Sequence, residues 1–177
     1  MNAVALLVID VQVGLIDGAH DADRLLTNIA DLITRARRAA VPVIYLQHHS
    51  TEWPPLRQGA PTWQIHPRVV PARDETVIGK TASDSFYATN LLTELTRRGI
   101  RRVVVTGMQS EYCVDTTCRS ALSHNFDVTL ASDAHTTGGP AAAQVIAHHN
   151  RVLPNVAHPS NRIVARASAA IDFDEPK

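Results

Sequence analysis

The chain has 177 residues, with 17 Lys and Arg balanced by 17 Asp and Glu, nine His, and a sequence pI near 7.1. Hydrophobic residues at 45% and charged residues at 19% are ordinary globular proportions and exclude a disordered chain. Balanced charge excludes a broad basic surface, and no apolar run approaches the roughly 20 residues a bilayer crossing needs, so neither nucleic acid nor membrane is expected as a partner.

The elements follow in chain order. Val4 to Ile9 is a continuous apolar run of strand length. From about Asp21 to Ala40, Leu25, Ile29, Leu32, Ile33 and Ala36 recur at helical spacing, with Arg35, Arg37 and Arg38 near the end to complement the helix dipole. Val43 to Leu46 and Thr76 to Ile78 read as strands. Ala88 to Arg98 is a helix with Leu91, Leu92 and Leu95 on one face, stopped by Gly99. Val103 to Val105 is a β-branched strand, and a helix from about Glu111 to His124 follows. Val128 to Ala131 is a strand, Pro140 to about Val152 a helix, and Ile163 to Ala165 a last strand.

Strands alternating with helices predict an α/β fold: three layers, α/β/α, around a mainly parallel central sheet. One domain spanning residues 1–177 is expected. Its one irregular part is a Pro/Trp-rich excursion at about 48–74, with five of the ten prolines and both tryptophans, Trp53 and Trp63. A connection this long without clear secondary structure is either functional or tied down against the fold or a second copy. The opening residues lack the basic segment of a signal peptide, and Cys113 and Cys118 do not form a disulfide framework. A cytoplasmic location is expected.

Ligands of open α/β sheets bind beyond the carboxyl ends of the strands. Asp10 directly follows the first run, Lys80 follows Val77-Ile78-Gly79, and Cys113 lies six residues after Gly107 at the start of a helix. A carboxylate, an ammonium and a thiol thus reach one edge of the sheet. A helix N-terminus and an ammonium both favour the nucleophilic thiolate, and a carboxylate can take the thiol proton. Cys118, further along the same helix, is assigned to core packing.

Leu7-Val8-Ile9-Asp10-Val11-Gln12, Gly79-Lys80 with Ser85-Phe86 and Thr89-Asn90-Leu91, and Gly107-Met108-Gln109-Ser110-Glu111-Tyr112-Cys113-Val114 resemble the three signature segments of the isochorismatase-like cysteine hydrolases. That group includes nicotinamidases, N-carbamoylsarcosine amidases and ureidoacrylate amidohydrolases. The resemblance runs from about Val4 to the final strand and implies a Rossmann-like topology. It implies a catalytic triad: Cys113 as nucleophile, Asp10 as general base and then acid, and Lys80 holding Asp10 ionised and favouring the thiolate. It also implies a cis peptide between Met108 and Gln109, and an oxyanion hole made by the backbone N–H groups of Gln109 and Cys113. A homodimer or homotetramer is implied too, with Trp53 and the proline-rich segment as interface candidates.

Metal-binding nicotinamidases carry Asp-x-His after the second strand, where this chain reads His48-His49-Ser50, a departure that counts against nicotinamidase activity. Adjacent histidines on an extended chain point to opposite sides, so no metal and no cofactor are expected. Gly79-Lys80-Thr81 is not a phosphate loop, because the required earlier glycine is Asp74. Gln12, Leu15, His48, Trp63, Phe86 and Tyr112, close to the motifs in sequence, are the candidate walls of a pocket for a small neutral planar substrate. Three functions stay open: thiol-dependent hydrolysis of a small amide, lactam or ureide; vinyl-ether hydrolysis of the isochorismate type, which needs no thiol; or an inactive or redox-sensing protein.

Overall fold

The computed structural model describes residues 3–173; the first two residues, part of the opening read for a leader, and residues 174–177 lie outside it. The elements run β1 (Val4–Ile9), α1 (Val13–Ile16), α2 (Ala22–Arg38), β2 (Val43–His48), β3 (Thr76–Lys80), α3 (Leu91–Arg97), β4 (Arg102–Met108), α4 (Asp115–Ser123), β5 (Asp127–Thr136), α5 (Ala142–Val152) and β6 (Ile163–Arg166). The six strands form one sheet in the order β3-β2-β1-β4-β5-β6, and every neighbouring pair is parallel. The strand order reverses direction at β1/β4, the crevice where such sheets bind ligands.

Two cores lie on opposite faces of the sheet. Along β1, Val4, Leu6 and Val8 pack under α2, while Ala5, Leu7 and Ile9 pack toward α3 and α4. A strand buried on both faces has no polar side to show, which is why the sequence reads as an unbroken apolar run. The α2 face contributes Leu25, Leu26, Ile29, Leu32, Ile33 and Ala36, all buried. Full burial of each Leu or Ile is worth about 1.5–3 kcal/mol, so this stripe fixes the helix to the sheet.

Several boundaries differ from the sequence reading: β2 and β3 run on to His48 and Lys80, and α3 starts at Leu91 rather than Ala88. β4 continues to Met108, and β5 continues to Thr136, well past Ala131. Ser132 and Asp133 interrupt the apolar pattern of β5 without ending the strand. The helix expected from Glu111 opens instead as a π turn, Ser110–Val114, and becomes α-helical only at Asp115.

The excursion after β2 is more ordered than its composition suggests. It contains three single-turn 3-10 helices, Pro54–Leu56, Pro61–Trp63 and Pro67–Val69, each opened by a proline whose missing N–H is no loss there. Leu56 and Val69 are buried, and the segment pairs with the chain after β1 through Val13 N–H to Gln64 O and His66 N–H to Val11 O, both 2.9 Å. Arg68 reaches Asp23 at 2.9 Å and Arg37 reaches Glu75 at 2.8 Å, fastening the segment to α2. The excursion is tied down. No helix of the described residues is long and apolar enough to cross a membrane.

Candidate active site

The carboxyl ends of β1, β3 and β4 each deliver one reactive side chain. Asp10 follows β1 in the left-handed region, φ 53°, a conformation Asp adopts more readily than most residues. Its N–H donates to Leu46 O at 2.9 Å, which ties the turn to β2. Lys80 is the last residue of β3, paired in register with His48 of β2. β3 lies two strands from β1, roughly 10 Å, and a long side chain is needed to cross that gap. Cys113 sits in the π turn after β4, and the Met108-Gln109 peptide bond is cis.

Gly107 brings the ends of β1 and β4 together. It pairs with Ile9 at φ +113°, and a Cβ added there would stand 1.9 Å from Ile9 O. Only a residue without a side chain permits this approach. The contact lies one residue from Asp10, so it holds the start of that turn against the end of β4.

Lys80 Nζ is the centre of the cluster. It stands 2.7 Å from Asp10 Oδ2, 3.0 Å from Ala82 O, 3.2 Å from Cys113 Sγ and 3.3 Å from His48 Nδ1. An ammonium has three N–H groups for these four acceptors. Asp10 and Ala82 are the nearest, and the thiol and the imidazole compete for what remains. Burial is the largest single influence and works to lower the Lys80 pKa, but the charges and hydrogen bonds of Asp10 and Cys113 together outweigh it and the net shift is upward, so the side chain is a cation. Burial and the Lys80 charge lower the His48 pKa. A neutral His48 therefore offers Nδ1 as an acceptor.

The thiol departs from expectation. Burial, and then the charge of Asp10, push Cys113 up to about 12 against the opposing pull of Lys80. The resting site is a thiol beside a carboxylate, not a preformed thiolate. Apart from the Lys80 ion pair, neither Asp10 oxygen accepts a hydrogen bond among the described residues. A carboxylate so placed, with the thiol sulfur within 4.8 Å, is positioned to accept the S–H proton. Cys118 is fully buried in the core and its pKa too is raised by burial.

Asp10, His48 and Cys113 present donor atoms within 4.8 Å of one another, a set that could hold a cation. Lys80 Nζ lies within 3.3 Å of one atom from each, so a divalent ion would have to displace the ammonium. His49 turns the other way, its ring beside Gly79.

The other candidates separate into wall and support. Gln12 is fully buried; its amide donates to His48 O at 2.9 Å and Trp63 O at 2.7 Å and accepts from His48 N–H at 2.9 Å. It clasps β2 and the excursion and leaves no amide N–H for a ligand. Phe86 is buried in the core, ring to ring with His124 and Phe126, with centroids 5.0 and 6.2 Å apart. Leu15 packs against the α2 core. Trp63 keeps a buried indole N–H with no acceptor among the described residues, and Tyr112, beside the nucleophile, is 56% exposed.

A three-stranded convergence of this kind admits comparison with known proteins. Residues 4–162 match the model of the isochorismatase domain family. The chain belongs to the isochorismatase family. This isochorismatase-family protein is 40% identical over 136 residues to a streptothricin hydrolase of Streptomyces noursei, covering 75% of the chain and 54% of that relative. It is 31% identical over 148 residues to a nicotinamidase of Arabidopsis thaliana, covering 75% and 73%. The solved structure of an isochorismatase from Pseudomonas putida KT2440 superposes with a TM-score of 0.85 at 27% identity, over 97% of this chain and 91% of that one. The chain spans about half the length of the streptothricin hydrolases it matches, 54% and 52%.

Proposed function

We propose that this isochorismatase-family protein is a cysteine-dependent hydrolase that cleaves the C–N bond of a small amide, lactam or ureide. The observation that carries the reading is the contact of one ammonium, Lys80 Nζ, with both Asp10, at 2.7 Å, and Cys113 Sγ, at 3.2 Å. A nicotinamidase among the relatives supports C–N chemistry.

In the first half-reaction Asp10 accepts the S–H proton as the sulfur attacks the carbonyl carbon, and the carbonyl π pair moves onto oxygen. The Gln109 and Cys113 N–H groups hold that oxyanion. Each donor of this kind is worth about 3–4 kcal/mol in the transition state. The C–N bond then breaks, Asp10 returns its proton to the departing nitrogen, and a thioester remains on Cys113. In the second half-reaction Asp10 takes a proton from water, the resulting hydroxide attacks the thioester, and the acid leaves as the sulfur regains its proton. Lys80 stays charged throughout. It keeps Asp10 an acceptor at rest and follows the sulfur as negative charge develops there.

Ammonia release from small primary amides and ureides, and ring opening of lactams read as the mass gain of one water, test this, with Cys113→Ala in parallel and a chelator present or absent. Turnover lost in the variant and indifferent to the chelator is the expected result. Isochorismate cleaved equally by both proteins, with no C–N bond broken in any amide, lactam or ureide, assigns vinyl-ether hydrolysis instead. Rapid peroxide oxidation of Cys113 with neither activity assigns a redox role.

A further inference from the structure

Behind the nucleophile turn lies a second polar chain that the triad does not use. Ser110, the first residue of the π turn, is fully buried, and its Oγ lies 2.8 Å from His135 Nδ1. His135, near the end of β5 and also buried, has its Nε2 3.0 Å from Asn150 Oδ1 on α5. Asn150 Nδ2 donates to Ser132 O at 2.8 Å.

The direction of every hydrogen in this chain follows from its last member. A backbone carbonyl only accepts, so the Asn150 end facing Ser132 is the NH₂ and the end facing His135 is the oxygen. His135 Nε2 therefore carries the proton and Nδ1 is the acceptor. Ser110 must then donate its hydroxyl hydrogen to Nδ1. Burial lowers the His135 pKa, which keeps the ring in the neutral form this pattern requires.

The anchored residue directly follows Gln109. Gln109 O is itself fixed by the N–H groups of Tyr112 and Val114, each at 3.1 Å. The carbonyl of Gln109 and the side chain of Ser110 thus grip the backbone on the C-terminal side of the Gln109 N–H. α5 packs against the same π turn, so Asn150 carries the grip to a separate helix.

We propose that Ser110, His135 and Asn150 form a positioning relay that holds the Gln109 N–H, and with it the nucleophile turn, in register for the oxyanion. The inference rests on the thiol-hydrolase reading, because it assigns the Gln109 N–H a partner that exists only during acyl transfer. None of the three touches the reacting atoms. A misplacement of about 1 Å in such a donor is enough to lose about 100-fold in rate.

Two reactions of the same thiol separate the relay from simple packing. Hydrolysis of p-nitrophenyl acetate passes through an oxyanion, whereas alkylation of Cys113 by iodoacetamide does not. Ser110→Ala and His135→Phe are expected to lower kcat for the ester about tenfold or more, with KM within about twofold. Alkylation of Cys113, located by mass spectrometry, stays within about twofold of wild type, and Ser110→Thr, which keeps the hydroxyl, restores kcat. Equal losses in both reactions, or full ester turnover in Ser110→Ala and in the folded His135→Phe protein, would overturn the relay. Cys113→Ala is the control for the reading beneath it: ester turnover that survives in that variant overturns the thiol reading and the relay together.

Discussion

Lys80 Nζ and Asp10 Oδ2 stand 2.7 Å apart with side-chain exposures of 0% and 1%, an ion pair removed from solvent. Such a pair is poor evidence for stability by itself, because desolvating both charges offsets most of their attraction. Removing one partner is a different matter. Lys80→Met leaves the Asp10 carboxylate buried without its counter-charge and should destabilise the fold by about 3–5 kcal/mol. Amide turnover should fall below a hundredth of wild type, even at a temperature where the variant stays folded. Urea melts and kinetics on the same sample check both. Unchanged stability together with full activity would remove Lys80 from the site.

The Lys80 pKa is raised in the fold, so its stabilisation is fully present below the ordinary lysine value near 10.5 and is lost as pH rises through the raised one. The Cys113 thiol, pushed up to about 12, is likewise protonated across the neutral range. Alkylation of Cys113 by iodoacetamide should therefore show no sigmoid with a midpoint between about pH 5 and 9, where a preformed thiolate would give one. A plateau reached near pH 7 would contradict the resting thiol.

Gly107 links fold and site through one contact. Gly107→Ala places a methyl group 1.9 Å from Ile9 O and forces an L-residue to φ +113°. The two effects together predict a loss above about 4 kcal/mol, the range reserved for severe steric or strain mechanisms. A thermal melt close to wild type would show that β1 and β4 separate more easily than this contact implies.

Gln12 makes a prediction about the excursion rather than the chemistry. Gln12→Leu keeps the volume but removes the amide, leaving His48 N–H without that acceptor and the carbonyls of His48 and Trp63 without that donor. At about 1–3 kcal/mol for each buried group left unpaired, a loss of at least 2 kcal/mol is expected. Limited proteolysis should cut first in the excursion, near the Gly59 turn. An unchanged digestion pattern would mean that Arg37 and Arg68 hold the segment without Gln12.

What the sequence showed and what it concealed follow one rule. Asp10 and Lys80 were legible because each stands at the end of a β-branched or apolar run, and Cys113 because it follows such a run after a short turn; strand ends are readable from such runs. His135 stands near a strand end too, but Ser132 and Asp133 break the pattern of β5, so the run seemed to finish at Ala131 and the histidine fell outside it. The raised thiol pKa was hidden for a different reason. Spacing places an ammonium and a helix start beside Cys113, yet burial and the proximity of Asp10 decide the balance, and both are properties of the folded chain. Gln12 and Phe86 adjoin the motifs in sequence but serve the clasp and the core, since neighbours along a chain need not share a cavity.

The central claim is that Cys113 carries the acyl group between two half-reactions. Acid quench during turnover of an amide that the chain hydrolyses, followed by peptide mass spectrometry, reads this directly. The account predicts an acyl mass on the peptide containing Cys113, lost in Cys113→Ala and discharged on longer incubation. Full turnover by Cys113→Ala, with no acyl mass on the wild-type peptide, would contradict it.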